Sequence, residues 1–292
     1  MTVAIMNADE VLGREIVEVL NQIQPDWIDE LRLFGSVDAN YILYRGKEIP
    51  VRAYSQDGFD GTDIAIMGTE REVDAGAVVV RTVTREDADL DAPVIVLDIN
   101  ADEVDEHRGQ LLVPSADAYV LAQLLHQLGE TVGQVNGCIL QPASVLGPDA
   151  IEELYAQTLA LFNQNACPTQ TIGGRLAFNL LPGRSELYGL AKFTQSHVSL
   201  NAMLVPVFGG TTMVLSIDGI QARDAEELLI KSPLFEVIED AQPSEVVGNN
   251  SIAATNIHGE QELRLTLVFD ELRTTAGALV KVAGEVFSKD AF

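Results

Sequence analysis

Thr2-Val-Ala-Ile-Met6 opens the chain as a short apolar run, and Val11 to Ile23 follows a polar turn with apolar residues at helical spacing. A short apolar run is typical of a buried parallel strand, and apolar residues three and four apart form one face of a helix. That helical face comprises Val11, Leu12, Ile16, Val19, Leu20 and Ile23. The stretch therefore predicts the strand, turn and helix with which a parallel α/β sheet begins.

Four further apolar runs continue this alternation. They are Glu30 to Phe34, Ile64 to Met67, Ala77 to Val80 and Val94 to Leu97. Near-continuous apolar runs indicate strands that are buried on both faces, as in a parallel sheet covered by helices. Asp38 to Val51 predicts an antiparallel hairpin with Arg45-Gly46 at its turn. Residues 1–118 are therefore predicted to form a Rossmann-like, doubly wound parallel sheet domain.

Longer strands with interspersed helices follow, which predicts an α+β domain over residues 119–272. The predicted strands are Gly137 to Leu140, Ala202 to Val205, Met213 to Ile217 and Glu262 to Phe269. The predicted helices are Tyr119 to Leu128, Asp149 to Phe162 and Ala222 to Lys231. Residues 273–292 contain an Ala-rich helix whose small residues suit tight packing, and we expect this helix to return to the first domain.

The charge of the chain excludes several classes of function. Its 292 residues include 18 Lys and Arg against 44 Asp and Glu, a formal net charge of −26 that repels nucleic acids and anionic membranes. No run of about 20 apolar residues suggests a membrane span, and the first nine residues lack the features of a signal peptide. Cys138 and Cys167 form neither a disulfide framework nor a metal site. We expect a cytoplasmic globular protein without a metal.

Several segments, in order along the chain, resemble aspartate-semialdehyde dehydrogenases. They are Val3 to Glu15, Leu31 to Phe34, Arg45 to Ile49, Pro93 to Asn100, Leu176 to Pro182, Val205 to Phe208 and Val268 to Arg273. Gly174 to Pro182 and Leu121 to Leu125 look particularly like the Usg-type homologues, which lack the catalytic Cys of that family. The resemblance implies the fold of an oxidoreductase family that acts in amino-acid biosynthesis. That fold has an NADP-binding domain and a dimerisation domain.

The resemblance also implies a chemistry that needs a Cys nucleophile, a His acid/base and an Arg for the substrate carboxylate. Here Ala116 falls at the Cys position, Thr211 at the His and Leu204 at the Arg. Ser115, beside Ala116, could serve as a replacement nucleophile or as a helix N-cap, and the cap is the favoured interpretation. The phosphate-site Arg of the family is replaced by Asp87, which reverses the charge that a phosphate would meet.

Part of the family framework remains around these positions. Gln141 matches a Gln that supports the active site, and Ser144 and Gly147 keep part of the adjacent loop. Without their catalytic partners, we expect these three residues to serve packing and turns. Glu271 replaces the Asn that the family directs at the nicotinamide amide.

The turn after the first strand departs from the glycine-rich pattern that approaches a dinucleotide pyrophosphate. Asn7 and Glu10 take the first two glycine places and only Gly13 remains. Asn7 as N-cap and Glu10 three residues later predict a capping box that fills the helix N-terminus. Ser36, at the adenine side, is followed by Asp38 without a nearby Arg. The sequence therefore predicts a degenerate cofactor site and no bound cofactor.

Three functional hypotheses follow from this pattern. The leading one is a catalytically degenerate, non-catalytic protein that forms a homodimer through the second domain and acts through contacts with another protein. The second is an oxidoreductase of the semialdehyde dehydrogenase type with altered chemistry that uses NAD(P). The third is a regulatory partner of an active paralogue.

Overall fold

The computed structural model describes residues 1–36, 41–68, 76–85, 87, 92–129, 131–185 and 187–290 of the chain. They form two compact units. The first unit comprises Met1–Gln123, Leu187–Phe193 and Leu272–Phe292, and the second comprises Leu124–Glu186 and Thr194–Glu271. None of the helices in these ranges is long and apolar enough to cross a membrane.

The first unit is built on a seven-stranded sheet. Its strands are β1 (Thr2–Ile5), β2 (Glu30–Gly35), β3 (Tyr41–Tyr44), β4 (Lys47–Ala53), β5 (Ile64–Met67), β6 (Val78–Thr82) and β7 (Gln110–Val113). The order is β3-β4-β2-β1-β5-β6-β7, and every pair except the β3–β4 hairpin is parallel. Its helices are α1 (Val11–Ile23), α2 (Gln56–Phe59), α3 (Leu97–Asn100) and the start of α4 (Ala116–Leu128). The Rossmann-like fold class is thereby confirmed.

One predicted strand, Val94 to Leu97, is wrong. Val94 makes only a single bridge to Leu112, and Leu97 already begins α3. The side chain of Asn100 provides the physical reason, since it accepts a hydrogen bond from the Val96 amide at 2.9 Å and donates one to the Val94 carbonyl at 2.9 Å. Backbone groups that a strand would pair with a neighbour are satisfied locally instead.

The edge position of the sheet is taken by β7, which the sequence analysis did not predict. The predicted hairpin is confirmed, with Arg45 and Gly46 at its turn in left-handed backbone, although residues 38–40 lie outside the described residues. Both departures affect only elements at or near an edge of the sheet. The central strands lie where the apolar runs placed them.

The second unit contains a second seven-stranded sheet of mixed direction, which confirms the α+β prediction. Its strands are β8 (Gln134–Gln141), β9 (Leu181–Pro182), β10 (His197–Leu204), β11 (Thr211–Asp218), β12 (Phe235–Val237), β13 (Ile252–His258) and β14 (Glu262–Phe269). The strand order is β12-β13-β14-β11-β8-β10-β9. Its helices are α5 (Pro148–Phe162), α6 (Ala222–Lys231), α7 (Pro243–Val246) and the first residue of α8 (Glu271–Asp290).

A short segment, Leu187–Phe193, groups with the first unit although the predicted second domain covered it. The carbonyl of Tyr188 accepts a hydrogen bond from the Ser115 amide at 3.4 Å. The ammonium of Lys192 lies 2.6 Å from the carboxylate of Glu103. These contacts hold residues Leu187–Phe193 on the first unit. They join positions far apart in sequence, so sequence patterns do not reveal them.

The last helix, α8, returns to the first unit from Leu272 onward, as predicted. Its Arg273 is 1% exposed and donates to a Glu15 carboxylate oxygen on α1 at 2.7 Å. A second guanidinium nitrogen donates to the side-chain carbonyl of Gln22, one to two turns further along α1. At the other end of α8, Phe287 stacks on Trp27 with ring centroids 6.5 Å apart.

We expect Glu15→Ala to destabilise the first unit by about 3 kcal/mol, because it leaves the buried Arg273 guanidinium without its carboxylate. Chemical denaturation followed by circular dichroism measures this change. Asp26→Ala, which removes an exposed carboxylate just beyond α1, is the control and should change the unfolding free energy by less than about 0.5 kcal/mol. Equal effects of the two substitutions would contradict a structural role for the ion pair.

Candidate functional site

The turn between β1 and α1 differs from the predicted capping box. Asn7 has a left-handed backbone with φ of 54°, and its carbonyl accepts a hydrogen bond from the Glu10 amide at 2.9 Å. Glu10 itself is the N-cap of α1, is exposed, and makes no side-chain capping hydrogen bond. The capping-box prediction is therefore wrong. It placed the helix start too early because it assumed an extended N-cap at Asn7.

Gly13 lies where helix α1 approaches this turn. A Cβ atom at Gly13 would lie 2.3 Å from the Asn7 carbonyl oxygen, so only glycine fits. The one family glycine that the chain retains is thus needed for helix packing alone, whatever happens to a ligand.

Asp9 fills the crevice beyond the carboxyl ends of β1 and β2. The sequence analysis did not identify this residue. One Asp9 carboxylate oxygen accepts hydrogen bonds from the Ser36 amide at 3.0 Å and from the Ser36 hydroxyl at 2.5 Å. The hydroxyl hydrogen bond of Ser36 holds the pKa of Asp9 below its usual range, so the carboxylate is charged at neutral pH. A Cβ atom at Gly35 would lie 2.5 Å from the other Asp9 oxygen. The glycine that ends β2 leaves room for the carboxylate.

In the second unit, three side chains from separate elements converge on one carboxyl group. Ser144, in a short 3-10 turn, donates its hydroxyl hydrogen bond to one oxygen of Glu271, at the start of α8. Thr211, at the start of β11, donates to the other oxygen at 3.1 Å. Thr211 is fully buried and Glu271 is half-buried. Burial raises the pKa of Glu271 above its usual range, with the two hydroxyls acting against that shift.

Next to this cluster, Gln141 and Leu204 are register partners at the ends of β8 and β10. The Gln141 amide donates to the Arg184 carbonyl at 2.9 Å, so it fixes the return of the chain after β9. Leu204 packs in an apolar cluster with Ala143, Ala150, Leu154, Ile172, Leu176 and Ala177. Gly147 has φ of 97° and begins α5 as its N-cap. Gln141 and Gly147 therefore hold turns in place, whereas Ser144 hydrogen-bonds to Glu271.

No family model matches the chain. The aspartate-semialdehyde dehydrogenase of Prochlorococcus marinus is 24% identical over 94% of this chain and 92% of its own length. That of Aquifex aeolicus is 27% identical over 83% of this chain and 82% of its own. The chain is similar in sequence to aspartate-semialdehyde dehydrogenases over most of its length.

A solved structure shows the same fold. The crystal structure of aspartate-semialdehyde dehydrogenase II from Vibrio cholerae, complexed with ASA, superimposes with a TM-score of 0.86 at 21% identity. The match covers 100% of this chain and 99% of that one. Both units of the present chain therefore share the architecture of that dehydrogenase.

The sequence analysis assigned the family's Cys, His and Arg positions to Ala116, Thr211 and Leu204, which carry no thiol, imidazole or guanidinium. Ala116 begins α4, and the Ser115 carbonyl accepts the hydrogen bond of the Tyr119 amide at 2.7 Å. Ser115 therefore stands at the N-cap position, as the favoured interpretation had it. Thr211 supplies a hydroxyl that is committed to Glu271, and Leu204 supplies only apolar surface.

Asp87, which the sequence analysis assigned to the position of the family's phosphate-site Arg, has its negative charge paired within the protein. Its carboxylate makes two hydrogen bonds to the Arg81 guanidinium, at 2.7 and 2.6 Å, and both side chains are buried. The Arg81 hydrogen bonds lower the pKa of Asp87 to about 2. The expected repulsion of a phosphate by Asp87 is thereby offset by its partner, and Arg85 is exposed nearby.

The residues at the crevice do not suit the NADP that the family resemblance implies. A dinucleotide pyrophosphate needs a close backbone approach at the turn after β1, where this chain has Asn7 and Glu10 rather than glycine. Asp9 already holds the hydrogen-bond donors of Ser36. Within the described ranges, no group of three or more His, Cys, Asp or Glu could hold a metal ion.

We expect Glu271→Gln to stabilise the protein at neutral pH and to leave it unchanged near pH 4. The raised pKa means that the folded state keeps a proton above the ordinary pKa of 4.5 at which the unfolded state loses it. This contribution to stability is therefore full below pH 4.5 and is lost as the pH rises through the folded-state value. Gln keeps the hydrogen-bonding shape without that loss.

Thermal unfolding of both proteins between pH 4 and pH 8 measures this effect. The gap in melting temperature should widen with increasing pH. Glu245→Gln removes an exposed carboxyl of α7 and should give no such trend. A constant gap across the pH range would show that the Glu271 carboxyl does not titrate abnormally.

Proposed function

We propose that this chain is a non-catalytic member of the aspartate-semialdehyde dehydrogenase family, of the Usg type that lacks the catalytic Cys. In this proposal it works in the cytoplasm as a homodimer and acts through protein contacts. The observation that carries the proposal is the Ser144–Glu271–Thr211 cluster, in which the positions of the family's acid/base and nicotinamide-directed residues hydrogen-bond to one another.

A site that awaits a substrate keeps its polar groups available to it, whereas these groups satisfy one another inside the protein. The Thr211 hydroxyl cannot replace an imidazole, because it does not titrate near neutral pH. Ala116 has no group that forms a thioester, and Leu204 has none that binds a carboxylate. Since the losses fall on separate roles in one reaction, restoring any one of them leaves the others missing.

We expect the purified protein to show no phosphate-dependent reduction of NADP with aspartate semialdehyde. The covalent nucleophile and its acid/base are both replaced, and residues of this kind act as a unit. The assay uses protein from a host that lacks its own enzyme. The rate should lie more than about a hundredfold below that of an active relative.

Ala116→Cys is the matched variant for this assay, because it restores the thiol at the start of α4. It should remain inactive, since Thr211 and Leu204 are unchanged. Turnover by the unmodified protein within that hundredfold margin would refute the non-catalytic proposal. It would favour the altered oxidoreductase, for which the raised pKa of Glu271 is the one supporting feature.

The homodimer proposal is supported by an apolar patch on the second unit. It is formed by Tyr155, Leu159 and Phe162 on one face of α5, and by Phe178 and Leu180 on the loop before β9; all five are exposed. The Phe162 and Phe178 rings meet edge to face at 6.0 Å and are 74% and 68% exposed. An exposed cluster of this kind marks a surface that a partner covers.

The loop that carries Phe178 is held in place from within. The buried Gln157 side chain accepts hydrogen bonds from the Leu176 and Ala177 amides at 2.7 and 3.0 Å, and it donates to two loop carbonyls. Phe178 follows with a left-handed φ of 56°, an unfavourable backbone for a bulky residue. The fold therefore maintains an exposed aromatic ring at a conformational cost, which supports a binding role for it.

We expect the protein to be a dimer by light scattering, and Phe178→Asn to shift it toward the monomer. Asn tolerates the left-handed backbone, so the substitution removes the ring without adding strain. Ile230→Ser, which removes an exposed apolar side chain of α6, is the control and should leave the mass unchanged. A mass of one chain at every concentration would contradict the dimer, and an unaffected Phe178→Asn dimer would place its interface elsewhere.

A further inference from the structure

The hydrogen bonds between Asp9 and Ser36 connect the turn after β1 with the residue that directly follows β2. These two strands are neighbours in the sheet and run parallel. In open α/β sheets a ligand binds beyond the carboxyl ends of such strands. The Ser36 amide and hydroxyl are hydrogen-bond donors at that edge, and a single Asp9 oxygen takes both.

Further contacts keep the turn in this position. The Ala8 amide donates to the Phe34 carbonyl at 2.7 Å, so the turn lies across the end of β2. The Arg14 side chain donates to the Asp9 carbonyl at 3.2 Å. Because Gly35 has no Cβ, the second Asp9 oxygen fits against the strand end. These contacts therefore hold the Asp9 carboxylate in a fixed position against the end of β2.

We propose that Asp9 is an autoinhibitory contact. Its carboxylate closes the crevice beyond the carboxyl ends of β1 and β2 to nucleotides. The inference rests on the proposed non-catalytic function and names the residue that keeps the dinucleotide out. A phosphate or ribose oxygen that approaches Ser36 meets donors that are already used and a charge that repels a phosphate. Neither Asn7 nor Glu10, which the sequence pattern singled out, contacts Ser36 through a described hydrogen bond.

The test compares Asp9→Ala and Asp9→Asn with the unmodified protein in calorimetric titrations with NADP and NAD. Ala removes both the charge and the occupying group, so it should bind at least tenfold more tightly than the unmodified protein. Asn keeps the shape of the side chain without its charge, so Asp9→Asn should gain less affinity than Asp9→Ala. Its gain should be larger for NADP than for NAD. Glu10→Gln, which removes a charge from the same turn without touching Ser36, is the control and should change the affinity less than about threefold.

A second measurement needs no ligand. The amide proton of Ser36 should exchange with solvent at least tenfold faster in Asp9→Ala than in the unmodified protein, because its acceptor is gone. Circular dichroism and the melting temperature establish that each variant is folded. If Asp9→Ala does not fold, the test uses Asp9→Asn instead. The measurement is then whether its gain in affinity is larger for NADP than for NAD.

The outcomes separate this inference from the proposed function. Micromolar binding of either dinucleotide by the unmodified protein would overturn both. Weak binding by the unmodified protein and by a folded Asp9→Ala variant would overturn the autoinhibitory contact and leave the non-catalytic function standing. Unchanged exchange of the Ser36 amide in Asp9→Ala would overturn the contact whatever the binding results.

Discussion

The first unit depends most directly on the hydrogen bonds of the buried Arg273 guanidinium. A charge with almost no solvent contact is stable only where other groups replace its water, and Glu15 and Gln22 on α1 do so. This requirement fixes α8 against the first helix of the chain, some 250 positions earlier in sequence. Two residues before Arg273, Glu271 belongs to the hydrogen-bonded cluster of the second unit. The first turn of α8 thus contributes Glu271 to the second unit and Arg273 to the first.

Much of the fold could be predicted from the sequence, because the central elements carry strong periodic patterns. The bounds of α1, β5, α6 and β14 agree with their apolar spacing to the residue. The failures occurred where a local side chain replaced a regular partner. The Asn100 side chain satisfies the backbone around Val96, and no periodicity reveals such a hydrogen bond. The left-handed Asn7 moved the helix start for a similar reason.

The sequence pointed to residues of the candidate site but not to the contacts that they make. Pattern alone predicted a helix from Tyr119 and a strand from Met213, and in the structure these elements begin earlier, at Ala116 and Thr211. It could not join Ser144 to Glu271, which lie 127 residues apart, or Asp9 to Ser36, which lie 27 apart. Such pairs become neighbours only through the order of strands in a sheet. A small donor directly after β2 beside a strand-ending glycine was the one available signal for the second pair.

The position of Leu204 bears on how the chain can change over evolutionary time. Its side chain forms part of an apolar cluster, next to Leu154 and Leu176. A single mutation to arginine there would place an unpaired guanidinium among methyl groups, at a cost of several kcal/mol, before it could contact any carboxylate. Such a mutant would lose stability without gaining activity, so selection would remove it. The neighbours of this position therefore favour an apolar side chain there and oppose a charged one.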